Sequence, residues 1–265
     1  MGWRRREAVV PNECVAALLR ICCGENSSQR TIHVFVALAD NEHQGIVPVA
    51  AKLGNGEDAE RNLYWGSAYG IKTFFSRSGD WQRLACRSKP KAEIIERCVF
   101  KHRSGSVYLI ADAYRGIEIK QAILDFFDAA SGDGNETEDV PNSSGGLKLP
   151  ARGGADLLVY VGHDGLMDFQ LAKFPQRKNN SVRDVIVLAC ASKQFFGNGI
   201  RASGASPVLW TTGLMAPEAY TLKSALDGWI AGEGHEQIRD RAAVAYDKYQ
   251  KCGLKAAHRL LVSGW

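Results

Sequence analysis

Five short apolar runs stand out along the chain: His33 to Leu38, Val107 to Ala111, Leu157 to Val161, Val185 to Ala189 and Val208 to Thr212. They are continuous rather than alternating, which is the pattern of strands buried on both faces in a parallel sheet covered by helices. Between and after them, apolar positions recur at helical spacing over Asp58 to Phe75, Lys91 to Lys101, Ile117 to Ala130, Pro217 to Ile230 and His235 to Cys252. Strand and helix in alternation predict an α/β fold. The expected architecture is three-layer αβα, with a mainly parallel five- or six-stranded sheet and helices on both faces.

Two segments fall outside this pattern. Ala130 to Gly154 is rich in Gly and poor in aliphatic residues, and predicts a mobile surface loop over 130–154. Residues 1–30 read as an N-terminal extension. Arg4, Arg5 and Arg6 ahead of short apolar stretches imitate a secretory signal, but Pro11, Glu13 and Arg20 break the apolar run. The rest, 31–265, is read as one domain.

Composition narrows the function classes. With 45% hydrophobic and 23% charged residues among 265, the chain is globular, not disordered or fibrous. Its 33 Lys+Arg against 29 Asp+Glu leave a net charge of +4 without clustering, so no nucleic-acid partner is expected. No run approaches the ~20 apolar residues of a membrane span, so no membrane partner is expected either. The seven cysteines are odd in number and form no C-x-x-C pair, which argues against a disulfide framework and a zinc ribbon. Free thiols fit a reducing compartment and favour a cytoplasmic location, with export left open. No histidine stands at metal-ligand spacing, so no metal is expected, and the cysteine and histidine chemistry read below needs no cofactor.

The chemistry lies at the ends of the third and fourth strands. Asp156 opens a run ending in Gly162-His163-Asp164-Gly165, and Asp184 opens one ending in Cys190-Ala191-Ser192. His163 lies seven residues beyond the first aspartate and Cys190 six beyond the second, so neighbouring parallel strands would deliver both to nearly one height. The carboxyl edge of a doubly wound sheet is where crevices form. A thiol beside an imidazole is the arrangement of nucleophilic catalysis. The turn into a helix after Ser192 would aim amides at Cys190, and the amides of Asp164, Gly165 and Cys190 are candidate donors for an oxyanion hole.

A hydrophobic strand, Gly-His with a following Gly, a second hydrophobic strand and then Ala-Cys resembles the caspase/hemoglobinase-fold cysteine peptidases, which include caspases, metacaspases, legumains and CHAT domains. Gly204 to Thr212 looks like the next strand of CHAT-type members. The motif covers Asp156 to Thr212, and the architecture Ile32 to Cys252. The resemblance implies that Cys190 is the nucleophile and His163 the acid/base in a peptide or protein substrate's cleavage. Asp164 stands where the family usually places a glycine directly after the histidine. The resemblance also nominates loop residues as a specificity pocket: Asp40, Glu42 and His43 after the first strand, Asp112 and Arg115 after the second, and Trp210 to Thr212 after the fifth. Acids outnumber cations among them, which would favour a basic side chain. Asp112, closing an apolar strand, lies either in the crevice or at the cap of the helix ahead of Gly116, and capping is the role its position favours. A binding module on the same fold, without catalysis, and a flavodoxin-like small-molecule binder are the rival readings. The Gly54-Asn55-Gly56 turn lacks the context of a phosphate loop. The stripe Asn62, Trp65, Gly66 and Tyr69 reads as core.

Overall fold

The computed structural model describes residues 29–140 and 146–265. The N-terminal extension, with Cys14, Cys22 and Cys23, therefore lies outside the described residues apart from its last two.

An eight-stranded sheet runs through the described residues. In chain order its strands are β1 (Arg30–Ala37), β2 (Trp81–Lys91), β3 (Ile94–His102), β4 (Val107–Tyr114), β7 (Leu157–Val161), β8 (Asp184–Leu188), β9 (Ser206–Thr211) and β10 (Leu261–Val262). Across the sheet the order is β10-β9-β8-β7-β1-β4-β3-β2. The five central strands, β4, β1, β7, β8 and β9, are parallel. They are the five apolar runs of the sequence, so the α/β class and the parallel centre follow the expectation. The sheet is wider than the expected five or six strands because antiparallel strands extend both edges.

Burial shows why the central runs are continuous. Val34 and Val36 of β1, Val159 and Val161 of β7, and Ile186 and Leu188 of β8 face one core. Phe35, Leu158, Tyr160, Val185 and Val187, which alternate with them, face another. The first core is closed by α1 (Ile71–Arg77), α4 (Ala219–Ile230), α5 (His235–Gln250) and α6 (Leu254–Leu260). The second is closed by α2 (Ile119–Ser131) and α3 (Ser192–Ser203). On α2 the buried Ile119, Ala122, Ile123, Phe126 and Phe127 form a stripe at helical spacing, and Gly132 at φ +91° ends the helix.

Three expected elements are corrected. Lys91 to Lys101, read as a helix, is mostly strand β3. Its Arg97 is buried in an ion-pair network, so the polar half of the strand period does not mark a solvent face. Asp58 to Phe75 is a chain of turns whose helix begins only at Ile71. There Asn62, fully buried, bonds both the amide and the carbonyl of Ala39 and fastens the turns to the end of β1.

The stretch 130–154 holds a hairpin, β5 (Asn135–Val140) and β6 (Leu147–Arg152), rather than a mobile loop. Val140, Leu149 and Ala151 pack on Val99, Tyr108 and Ile110 of the main sheet. Glu138 of β5 reaches Arg97, which in turn holds Asp112 through two hydrogen bonds of 2.6 and 2.7 Å.

Strand β2 had no counterpart in the sequence pattern. It is largely exposed, and Arg83, Arg87, Lys89, Pro90 and Lys91 lie along it, side chains suited to an edge that should not pair further. Cys86 of β2 and Cys98 of β3 stand in register and form a disulfide, contrary to the expectation of free thiols. No helix among the described residues is long and apolar enough to cross a membrane.

Candidate active site

Taken in chain order, the five parallel strands have the sheet order 2-1-3-4-5. In such a sheet the chain leaves β1 toward one edge and β7 toward the other, so the loops diverge and leave a crevice at the carboxyl ends of these two strands. β7 and β8 pair with Leu157 opposite Asp184 and Val161 opposite Leu188. Continued past the strand ends, this register sets His163 opposite Cys190, at the height that the aspartate count predicts.

Local backbone chemistry shapes both turns. Gly162 has φ +151°, and a Cβ there would lie 2.8 Å from the carbonyl oxygen of Ala37, so only glycine lets β7 leave the sheet so close to β1. His163 is 6% exposed. Its backbone carbonyl accepts the Tyr160 hydroxyl, and its Nε2 lies 2.7 Å from Asp168 Oδ2. Beyond Cys190, Ala191 adopts a left-handed conformation, φ 46° and ψ 32°, before α3 starts. A non-glycine residue in this conformation is strained, and such strain persists only where its surroundings hold it. Thr211 braces the turn: its hydroxyl bonds the Ala189 carbonyl and accepts the Ser192 amide, and its own amide bonds the Ser192 hydroxyl.

Cys190 is half-buried. Its sulfur accepts the Met215 amide at 3.4 Å and contacts the Met215 carbonyl oxygen at 3.6 Å. Burial pushes the thiol upward, and Asp164 adds to this, while the Met215 amide opposes them. The resting sulfur is therefore a thiol. Asp164 is fully buried. Burial raises it to about 7, against the hydrogen bonds of the Leu166 and Met167 amides, and its Oδ2 has no partner among the described residues. Burial also raises Tyr64 and Glu218, and the Glu218 charge adds to the effect on Tyr64.

The structure redistributes the other nominated residues. Asp112 is inside β4, fully buried, between His33 and Arg97, so it neither lines a crevice nor caps a helix. Arg115 is paired with Glu57 at the surface. Asp40 is buried and accepts the amides of Glu42 and His43 and the His43 ring, which makes it the fold of its own loop. Asp40, Glu42 and His43 line a hollow of about 260 Å³ with Gly54 to Glu57, and neither His163 nor Cys190 forms part of its wall. Trp210 is buried against Trp265 and the Lys193 ammonium, and Thr211 is the brace already described; neither is free to touch a substrate.

The Gly165 amide donates to His163 O at 3.1 Å and is lost to the oxyanion hole. The amides of Ala191 and Ser192 go to Gly213 O and Thr211 Oγ1 instead of toward Cys190. Sequence reasoning passed over Asp168, Met215, Tyr64 and Glu218. Only Asp168 left a signal, as an acid five residues beyond His163 in the same loop.

What the fold and the crevice define is a class: a doubly wound α/β protein with a histidine and a cysteine at adjacent strand ends. Comparison with protein-family models, curated proteins and solved structures finds no match for this chain.

Proposed function

We propose that the protein is a cysteine endopeptidase of the caspase-like type, with Cys190 as nucleophile and His163 as acid/base. What supports this reading is the β7–β8 register, which, continued past Val161 and Leu188, sets positions 163 and 190 side by side at the carboxyl edge of a doubly wound sheet. The strained Ala191 turn supports it further.

In this reading the Cys190 sulfur attacks the peptide carbonyl carbon while its proton passes to His163. Negative charge gathers on the carbonyl oxygen, for which the amides of Asp164 and Cys190 are the remaining donors. The C–N bond breaks, His163 gives the proton to the leaving amine, and a thioester remains. A water, deprotonated by His163, then attacks the thioester; the acid departs and the sulfur regains its proton. Because burial holds the resting sulfur as a thiol, deprotonation belongs to the attack itself, and no thiolate–imidazolium pair is stored beforehand.

One observation favours the rival reading of a binding module: the cysteine is occupied by Met215 and makes no hydrogen bond to His163. Peptidyl electrophiles with basic, acidic, amide and aromatic terminal side chains, followed by mass mapping, separate the two. A peptidase labels at Cys190 far faster than at the exposed Cys252, and His163→Ala slows that labelling by about 100-fold or more. Equal labelling of both cysteines would leave the binding module as the reading of the crevice.

A further inference from the structure

The loop after β7 carries a carboxylate that the sequence did not single out. Asp168 closes the short 3-10 turn Gly165–Met167, and its Oδ2 meets two groups: His163 Nε2 at 2.7 Å and the Gly45 amide at 2.9 Å. The first belongs to the proposed acid/base. The second belongs to the loop that follows β1, on the opposite bank of the crevice. That bank is itself fixed, because Gln44 donates to the carbonyls of Leu38 and Gly116.

We infer that Asp168 is the positioning residue of this site: it holds His163 in the tautomer that carries its proton on Nε2, and ties the imidazole to the β1 loop. The inference rests on the reading of His163 as acid/base and adds the group that makes that role possible. A carboxylate only accepts hydrogen bonds, so the 2.7 Å contact requires a proton on Nε2. In the neutral ring Nδ1 then keeps its lone pair and is the atom able to take a proton from Cys190. The 6% exposure of His163 leaves the ring little freedom to turn over. Nucleophile, base and an acid orienting the base together form the general template for activated nucleophiles.

Gly45 gives an independent handle on the same contact. A Cβ at this position would stand 2.3 Å from Asp168 Oδ1, and its three nearest neighbours would all be atoms of the Asp168 carboxyl group, so even a methyl group there presses on the carboxylate. The glycine is what lets one carboxylate serve both banks.

The test is nitrogen NMR of selectively labelled histidine in the full chain, read beside hydrolysis or electrophile capture. Wild type is expected to show His163 protonated at Nε2 in its neutral form. In Asp168→Asn the amide can donate to Nε2, so the ring should shift toward the Nδ1–H tautomer, and turnover should fall roughly 100- to 10,000-fold with KM within about threefold. Asp168→Glu should recover part of the rate, and Gly45→Ala should reproduce the loss without altering any polar side chain. A wild-type ring protonated at Nδ1, or an Asp168→Asn ring with an unchanged tautomer, overturns the inference. A tautomer that shifts in a protein that captures no peptidyl electrophile upholds the positioning role and removes the peptidase reading.

Discussion

Asp164 is the residue at which the site makes its clearest demand on stability. Its carboxyl is raised to about 7, because burial opposes the charge and the Leu166 and Met167 amides offset only part of that. In the unfolded chain an aspartate titrates near ~3.9. The folded state therefore binds the proton more tightly, and the charged form costs stability increasingly as pH rises from about 4 to about 7, with the full penalty above that. Asp164→Asn keeps an acceptor for the Leu166 amide and has no proton to lose. Relative to wild type, the variant should gain about 3 kcal/mol of unfolding free energy between pH 4.5 and pH 8; a pH-independent difference measured by denaturant titration would show that the buried carboxyl is not the cause. At this scale His163 and Cys190 were legible in the sequence, since counting from two aspartates that open neighbouring strands gives their common height. Asp168 left only its place in the same loop as His163, and Met215 left no signal, because a carboxylate in a loop and a backbone amide after β9 carry no period.

Between β3, β4 and the β5–β6 hairpin, polar side chains do what apolar ones do elsewhere. Arg97 is 4% exposed and joins Asp112 to Glu138, while Arg87, 56% exposed, holds Glu138 from the rim. Removing one partner of a buried pair leaves an uncompensated charge, so Arg97→Ala should cost about 3 to 5 kcal/mol, and Arg87→Ala less than about 1 kcal/mol. Denaturant unfolding of the two variants side by side checks the ranking. The same network sets an acid limit. Burial lowers His33, whose Nδ1 accepts the Arg152 amide, and Arg97 and His33 lower Asp112 against the effect of its burial. This contribution is complete above the unfolded histidine value of ~6.5. It declines below that value, and again below ~4, as the unfolded chain takes up protons first. The Cys86–Cys98 bridge closes a short loop between β2 and β3. Cys86→Ser, which leaves buried Cys98 in place, should lower stability by about 2 to 3 kcal/mol and move the thermal midpoint accordingly. A variant as stable as wild type would show that the β2–β3 ladder alone holds the edge. None of this was readable as elements: Arg97 inside β3 disguised a strand as an amphipathic helix, and the cysteines are paired by strand register, which no sequence spacing encodes.

Over the whole molecule, stability should follow position in the sheet. β1 and β7 lie at the centre and are buried on both faces, whereas β2 is an exposed edge. Amide exchange should be slowest in β1 and β7 and fastest in β2; protection of β2 equal to that of β7 would mean that the edge is covered in solution. The sequence by itself determined the α/β class, the five parallel strands and the height shared by His163 and Cys190, because continuous apolar runs and residue counts along a strand are local properties with a fixed rise per residue. Only the tertiary structure decided the antiparallel edges, the hairpin laid over β3 and β4, and the burial of Asp112 away from the crevice. It alone brought Asp168 to both His163 and Gly45. Those outcomes depend on which strands become neighbours and which charges are buried together, and such pairings join residues far apart in the chain that leave no periodic trace along it.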